Sequence, residues 1–187
     1  MIIGLTGLNC AGKTTVAEML KGHGFVAWSL SDAVRAEATR RGLGHDRDTL
    51  IHIANDLRKH HGGGVFAQRI IAQIREAQAL HPQQHFAIDS VRSPLEVEEL
   101  RKLPDFQLWH IDAPIEIRFR RAIERGRSEG AATLAEFRAK ETAEDTDDPH
   151  KQQLGNTLRM ADVHLQNVGT LHELTELVRS QLPQAFH

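Results

Sequence analysis

"GLNCAGKTT", residues 7–15, decides how this chain is read. Gly7, Gly12, Lys13 and Thr14 satisfy the spacing G-x-x-x-x-G-K-[ST], and the flanks supply the context that this pattern needs. Ile2, Ile3 and Leu5 ahead of it make a short apolar strand. VAEMLKGHG (16–24) behind it has helical spacing and stops on glycine. A glycine loop between such elements curls its backbone N–H groups inward, and the helix adds the positive end of its dipole, so the loop is shaped for phosphate. Lys13 would reach the β- and γ-phosphates of a nucleotide, and the Thr14 hydroxyl would ligate Mg²⁺. The expected ATP contacts are Gly7, Asn9, Cys10, Ala11, Gly12, Lys13, Thr14 and Thr15. A strand-to-helix turn that binds nothing would leave Lys13 unexplained. Cys10, the only cysteine, reads either as a small residue at a variable loop position or as a thiol made acidic by the helix N-terminus.

Composition narrows the class. At 187 residues the chain is long enough for one substantial core, and length favours a single domain. Its apolar fraction of 40% and charged fraction of 26% are those of a soluble globular protein. A formal charge of −2 argues against a nucleic-acid binder driven by bulk electrostatics, and 5% aromatic residues offer no stacking platform for single strands. One cysteine excludes a disulfide framework and a cysteine zinc site. A strand at the very start leaves no room for a signal peptide, and no segment approaches the roughly 18 apolar residues of a membrane span. The expected location is cytoplasmic.

Along the chain, strands and helices alternate. Further strands are expected at 25–30, 85–90, 106–112 and 161–167, and helices at 31–42, 48–64, 65–80, 93–103, 114–126, 133–145, 151–160 and 170–182. Five strands in this order imply an α/β fold with a parallel sheet covered on both faces, in three layers. Ligands of such sheets sit beyond the carboxyl ends of the strands. Polar residues cluster there: Ser31, Asp32 and Arg35 after the second strand, Asp89, Ser90 and Arg92 after the third, and Asp112 at the end of the fourth. The helix after Asp112 carries Arg118, Arg120, Arg121 and Arg125, with Arg127 just beyond; Asn167 and Gly169 follow the fifth strand. Singly each reads as a surface ion pair, but together they suit a site that handles several phosphates. Phosphoryl transfer needs positioning and charge stabilisation more than covalent help, so Asp89 is assigned to the Mg²⁺ shell and Asp32 to orienting the acceptor or serving as its base.

Competing readings of the loop fit less well. A GTP switch needs a guanine-reading Asn-Lys-x-Asp, which is absent, and a motor or helicase needs more chain and a second catalytic acid. A small-molecule kinase needs what is present: a compact fold, a helical acceptor segment at about 42–80, and an arginine-rich lid at about 118–150. His60-His61 read as a solvated helix end, ETAEDTDDP (141–149) as a solvated mobile run, and Trp28 and Trp109 as core.

GLNCAGKTT, SDAVRAEATRRG, AQR around Arg69, IDSVRS, DAPIEIRFRRAIERGRS and ADVHLQNVGT together give the chain a resemblance. It resembles the P-loop kinases that include nucleoside monophosphate kinases and dephospho-CoA kinases. It looks closest to an adenylate-kinase-related family that is mostly archaeal, and to the kinase-like domain fused to some deoxycytidylate deaminases. The resemblance implies a strand order of 2-3-1-4-5. It also implies that Arg35, Arg92 and Arg69 grip the acceptor phosphate and that Arg118, Arg121 and Arg125 approach the phosphoryl in transit. Asn167 and Gly169 would lie against the adenine. Related chains carry glycine where this one has Ser90, and an acidic pair and proline where it has Glu129-Gly130-Ala131-Ala132. The expected activity is transfer of the γ-phosphoryl of ATP, with Mg²⁺, to a nucleoside or deoxynucleoside monophosphate, with small nucleotides as partners. The alternatives are a hydroxyl acceptor, as in dephospho-CoA, and a nucleotide-binding regulatory protein with slow ATPase.

Overall fold

The computed structural model describes residues 1–126, 131–148 and 151–186. Five strands form one parallel sheet: β1 (Ile2–Thr6), β2 (Phe25–Ser29), β3 (His85–Asp89), β4 (Phe106–Asp112) and β5 (Val163–Gln166), in the order β2-β3-β1-β4-β5. Helices cover both faces, as the alternating pattern and the resemblance imply. The order places β1 at the centre, and all five of its residues are buried.

Side chains alternate along each strand and so feed two cores. Ile2, Phe86, Ile88 and Leu108 pack against α2 (Leu30–Arg40), α3 (Arg47–His61), α4 (Val65–Leu80) and α5 (Pro94–Leu100). Ile3, Leu5, Ala87, Trp109 and Ile111 pack on the other face against α1 (Lys13–Gly22) and α9 (Leu171–Gln181). Trp109 is fully buried, whereas Trp28 is half-buried with its ring 5.0 Å from Phe86. A third, small cluster of Ala122, Ala131 and Phe137 joins α6 (Ile115–Glu124) to α7 (Leu134–Glu144). The short helix α8 (Leu154–Arg159) precedes β5.

Local signals set the helix ends. Helix α2 starts one residue before the expected Ser31, because the Ser29 hydroxyl accepts from Ser31 N and acts as the cap. Asp46 caps α3 through Thr49 N, and capping boxes Thr133–Glu136 and Thr170–Glu173 start α7 and α9. The chain's close is a 3-10 turn, Gln184–Phe186. His60 and His61 are exposed in the last turn of α3, with His60 Nδ1 near the Asp56 carbonyl at 2.8 Å.

In the acidic run 141–149, several of the described residues, 141–148, have specific partners. Glu141 is ion-paired with Arg118, Asp145 accepts from Gly155 N at 3.0 Å, and Thr146 N donates to the Gln152 carbonyl. These partners lie elsewhere in the sequence, so local charge density could not reveal them. Arg127, and Glu129 and Gly130 of the altered stretch 129–132, lie outside the described residues, whereas Ala131 is buried in the α6–α7 cluster.

Candidate functional site: a phosphate loop at the head of a basic cleft

The loop after β1 has the shape its sequence implies. Gly7 and Gly12 hold φ of 145° and 115°, which favour glycine, and close approach makes both positions strict. A Cβ on Gly7 would lie 2.2 Å from the Ile111 carbonyl oxygen, and one on Gly12 would lie 2.2 Å from Asn167 Nδ2. Cys10 also has positive φ, 59°, although it carries a side chain. It is half-buried and packs against the small α6–α7 cluster.

Lys13 opens α1 and folds back over the loop, where Nζ donates to the carbonyls of Gly7 at 2.7 Å and Leu8 at 2.9 Å. Burial lowers its pKa to about 8; Asp89 opposes that shift and Arg92 adds to it. Thr14 is exposed and Thr15 half-buried. Asn9 is oriented with its amide oxygen towards Arg47, accepting from Nη1 at 2.7 Å.

A cleft of about 610 Å³ runs from this loop across the ends of β2 and β3 to α3 and α4. Lys13, Arg35, Arg47, Arg58, Arg92 and Arg125 line it, against the carboxylates Asp89 and Glu96. The chain as a whole carries −2, so its positive charge is concentrated here. Asp89 accepts from Ser90 N at 2.6 Å. Ser90 holds φ of 70°, the left-handed region, and its hydroxyl accepts from Ser29 at 3.3 Å. This is a backbone conformation that glycine adopts more readily than serine. Arg92 Nη1 donates to Gln152 at 3.0 Å, and its backbone N donates to Glu96 Oε2 at 2.8 Å.

Other expected site residues sit apart. Asp32 is exposed and paired with Arg35 at 2.6 Å; Ser31 and Arg35 line the cleft, whereas Asp32 does not. Arg69 is exposed on α4 and is also outside the lining. Arg118 is buried, with donors spent on the Ala113 and Asn9 carbonyls and on Glu141. Arg121 reaches the Ala11 carbonyl at 3.5 Å and the backbone carbonyl of Asn167 at 3.2 Å; burial and the neighbouring Arg125 lower its pKa. Asn167 is buried, and its Nδ2 donates to the Ala11 carbonyl at 2.7 Å; Gly169 is exposed beside Glu173. Arg118, Arg121 and Asn167 thus brace the loop from behind, while Arg125 faces the cleft. The sequence reading missed Arg47, Arg58, Glu96 and Gln152. Arg58 had a visible signal: it continues the apolar stripe of α3 seven residues after Ile51 and four after Ala54.

The sheet order, the loop and Lys13 define a P-loop nucleotide-binding protein of kinase-like architecture. Residues 3–147 match the family model described as an AAA domain. A UPF0200 protein of Methanosarcina mazei is 32% identical over 97% of this chain and 93% of its own length. A UPF0200/UPF0201 protein of Archaeoglobus fulgidus is likewise 32% identical over 97% of this chain, which spans 54% of that relative. The chain belongs to the UPF0200 family. Among solved structures, TT1252 from Thermus thermophilus superposes with a TM-score of 0.59 at 21% identity, covering 96% of this chain and 95% of its own. A putative kinase from Chloroflexus aurantiacus gives 0.55 at 18% identity, covering 96% and 93%. Shikimate kinase from Acinetobacter baumannii gives 0.53 at 14%, covering 97% and 95%. At these identities the likeness is one of fold.

Proposed function

We propose that this chain is an ATP-dependent phosphotransferase whose acceptor is a nucleoside or deoxynucleoside monophosphate. The observation that carries the reading is the single cleft that joins Lys13 and the phosphate loop to the arginines of α2, α3 and the β3–α5 turn. A loop that only held ATP would not need Arg35 and Arg92 further along the same cleft. Two anionic substrates meeting end to end would need them.

In this reading an oxygen of the acceptor phosphate attacks the γ-phosphorus. A new P–O bond forms there, the bond to the β–γ bridging oxygen breaks, and ADP leaves with that oxygen. Lys13 and the loop amides hold the donor phosphates, and Arg92 and Arg35 hold the acceptor phosphate. Arg125 reaches the same cleft from the end of α6, while Arg118 and Arg121 fix the loop's geometry. The segment 42–80 serves as the acceptor region, and 118–150 as the lid. Thr14 and Asp89 are hard oxygen donors on one cleft. Two protein oxygens suit Mg²⁺, which keeps several waters and binds substrate phosphates. When bound, Mg²⁺ would neutralise charge on the phosphates.

Arg92→Ala tests the arrangement. Its expected effect is a rise in the acceptor KM of about tenfold or more with a much smaller change in the KM for ATP. Equal effects on both substrates would place the acceptor elsewhere.

A further inference from the structure

Arg58 is the least expected residue in the cleft. It sits on the apolar stripe of α3, its side chain 4% exposed, and pairs with Glu96 (1% exposed) at 3.1 Å. Its other donors, Nε and Nη1, are buried and find no hydrogen-bond partner among the described residues, and an acceptor in the cleft meets them only when the wall beside Arg58 yields. The Phe66 ring packs against the guanidinium at 5.1 Å, and Leu50, Ile51 and Ala54 line the cleft beside it. A buried charged donor without an acceptor is costly, and an ion pair at this depth is a poor source of stability. Helix α3 could place an apolar residue here at no such cost. A ligand that completes the pair accounts for its presence.

The surroundings say which ligand. Glu96 already neutralises Arg58, and both its oxygens are engaged, one by Arg58 and one by Arg92 N. A phosphate dianion brought here would face that buried carboxylate, whereas a neutral oxygen would not. The aromatic and aliphatic lining suits a flat ring. We infer that Arg58, fixed by Glu96, reads the oxo group of the acceptor's base, and that the cleft therefore selects oxo-bases (6-oxopurine or 4-oxopyrimidine) over their amino counterparts. A 6-amino or 4-amino group would aim hydrogens at a donor edge. This rests on the proposal that the acceptor is a nucleoside monophosphate. Rejection of a group that leaves buried donors unpaired is the strong form of specificity.

The test is calorimetric titration of the whole chain with inosine, adenosine, uridine and cytidine monophosphates, and with inorganic phosphate. Inosine against adenosine, and uridine against cytidine, exchange an oxo for an amino group and with it turn the neighbouring ring nitrogen from donor to acceptor. The wild type should favour the oxo member of each pair by about 10- to 100-fold. Arg58→Lys keeps a charge opposite Glu96 without the planar donor edge, and Arg58→Met with Glu96→Gln removes both buried charges together. Each should bring both ratios to within about twofold. Equal affinities in the wild type, no binding of any of the four, or ratios that survive in both variants would overturn the inference. So would an equal loss for all four nucleotides and for phosphate, which would put Arg58 on the phosphate. ADP release from ATP with the tightest acceptor is measured in parallel. Its absence beside intact discrimination would remove the transfer reaction and leave the base reading standing.

Discussion

Lys13 sits where burial and phosphate chemistry meet. Burial holds its pKa near 8. Between about pH 8 and the ordinary lysine value near 10.4 the unfolded chain binds a proton that the folded one does not. The cost of the buried charge is therefore present below pH 8, and stability contributed by this group rises with pH across that window. Phosphates beside Nζ reverse the balance and favour the charged form. ATP binding at pH 8.5–9 should accordingly take up a proton, seen by calorimetry in two buffers of different ionisation heat. Lys13→Ala should abolish both the uptake and most of the affinity while leaving the fold intact; uptake that survives the substitution would belong to another group. At Ser90 the left-handed backbone costs on the order of 1 kcal/mol relative to glycine. Ser90→Gly should raise stability by about that amount in urea titration, less whatever the Ser29 contact contributes; a loss of stability would show that the Ser29–Ser90 contact outweighs the strain.

At the level of elements, much of the fold could be read from the sequence. The loop, the five strands and the capped helices α7 and α9 follow from local spacing and cap chemistry, because those signals lie within a few residues. The roles of α6 did not emerge so completely. Five arginines on and just past one helix suggested a single task, but the structure divides those described. Arg118 is buried against Glu141 and Phe137, Arg121 braces Asn167, and Arg125 alone among the expected three lines the cleft. That division depends on partners 23 and 46 residues away in sequence, which helical periodicity cannot show. Arg118→Met would leave Glu141, a mostly buried residue of α7, without its cation, at a cost of up to about 3 kcal/mol. Adding Glu141→Gln should recover a substantial part. Measured by urea unfolding, a double variant no more stable than the sum of the singles would deny that the two are coupled.

The whole molecule explains why the phosphate loop was legible and the acceptor pocket was not. The loop is a contiguous segment whose residue types are dictated by close backbone approach: Gly7 against Ile111, Gly12 against Asn167. The cleft is assembled from separate regions: the loop, the end of β2 with the start of α2, the turn after β3, helices α3 and α4, and Arg125 and Gln152 from further along the chain. Strand-end residues such as Arg35 and Arg92 could be anticipated because a parallel sheet aligns its carboxyl ends. Arg47 and Arg58 could not be placed, since only the packing of α3 across the sheet brings them there. The same assembly sets positive charge in one cleft of a chain that is slightly acidic overall. Phosphate-rich ligands should bind more weakly as salt rises, with the effect reduced in Arg92→Ala.

The most direct measurement is ADP release from ATP and Mg²⁺ against a panel of ribo- and deoxynucleoside monophosphates, dephospho-CoA and no acceptor, with Lys13→Ala as the blank. The account predicts strong stimulation by a nucleoside monophosphate, lost in Lys13→Ala. Stimulation by dephospho-CoA alone, or Lys13-dependent ADP release that no acceptor changes, would contradict it: the first would make the acceptor a hydroxyl, and the second would make the chain a nucleotide-controlled regulatory protein.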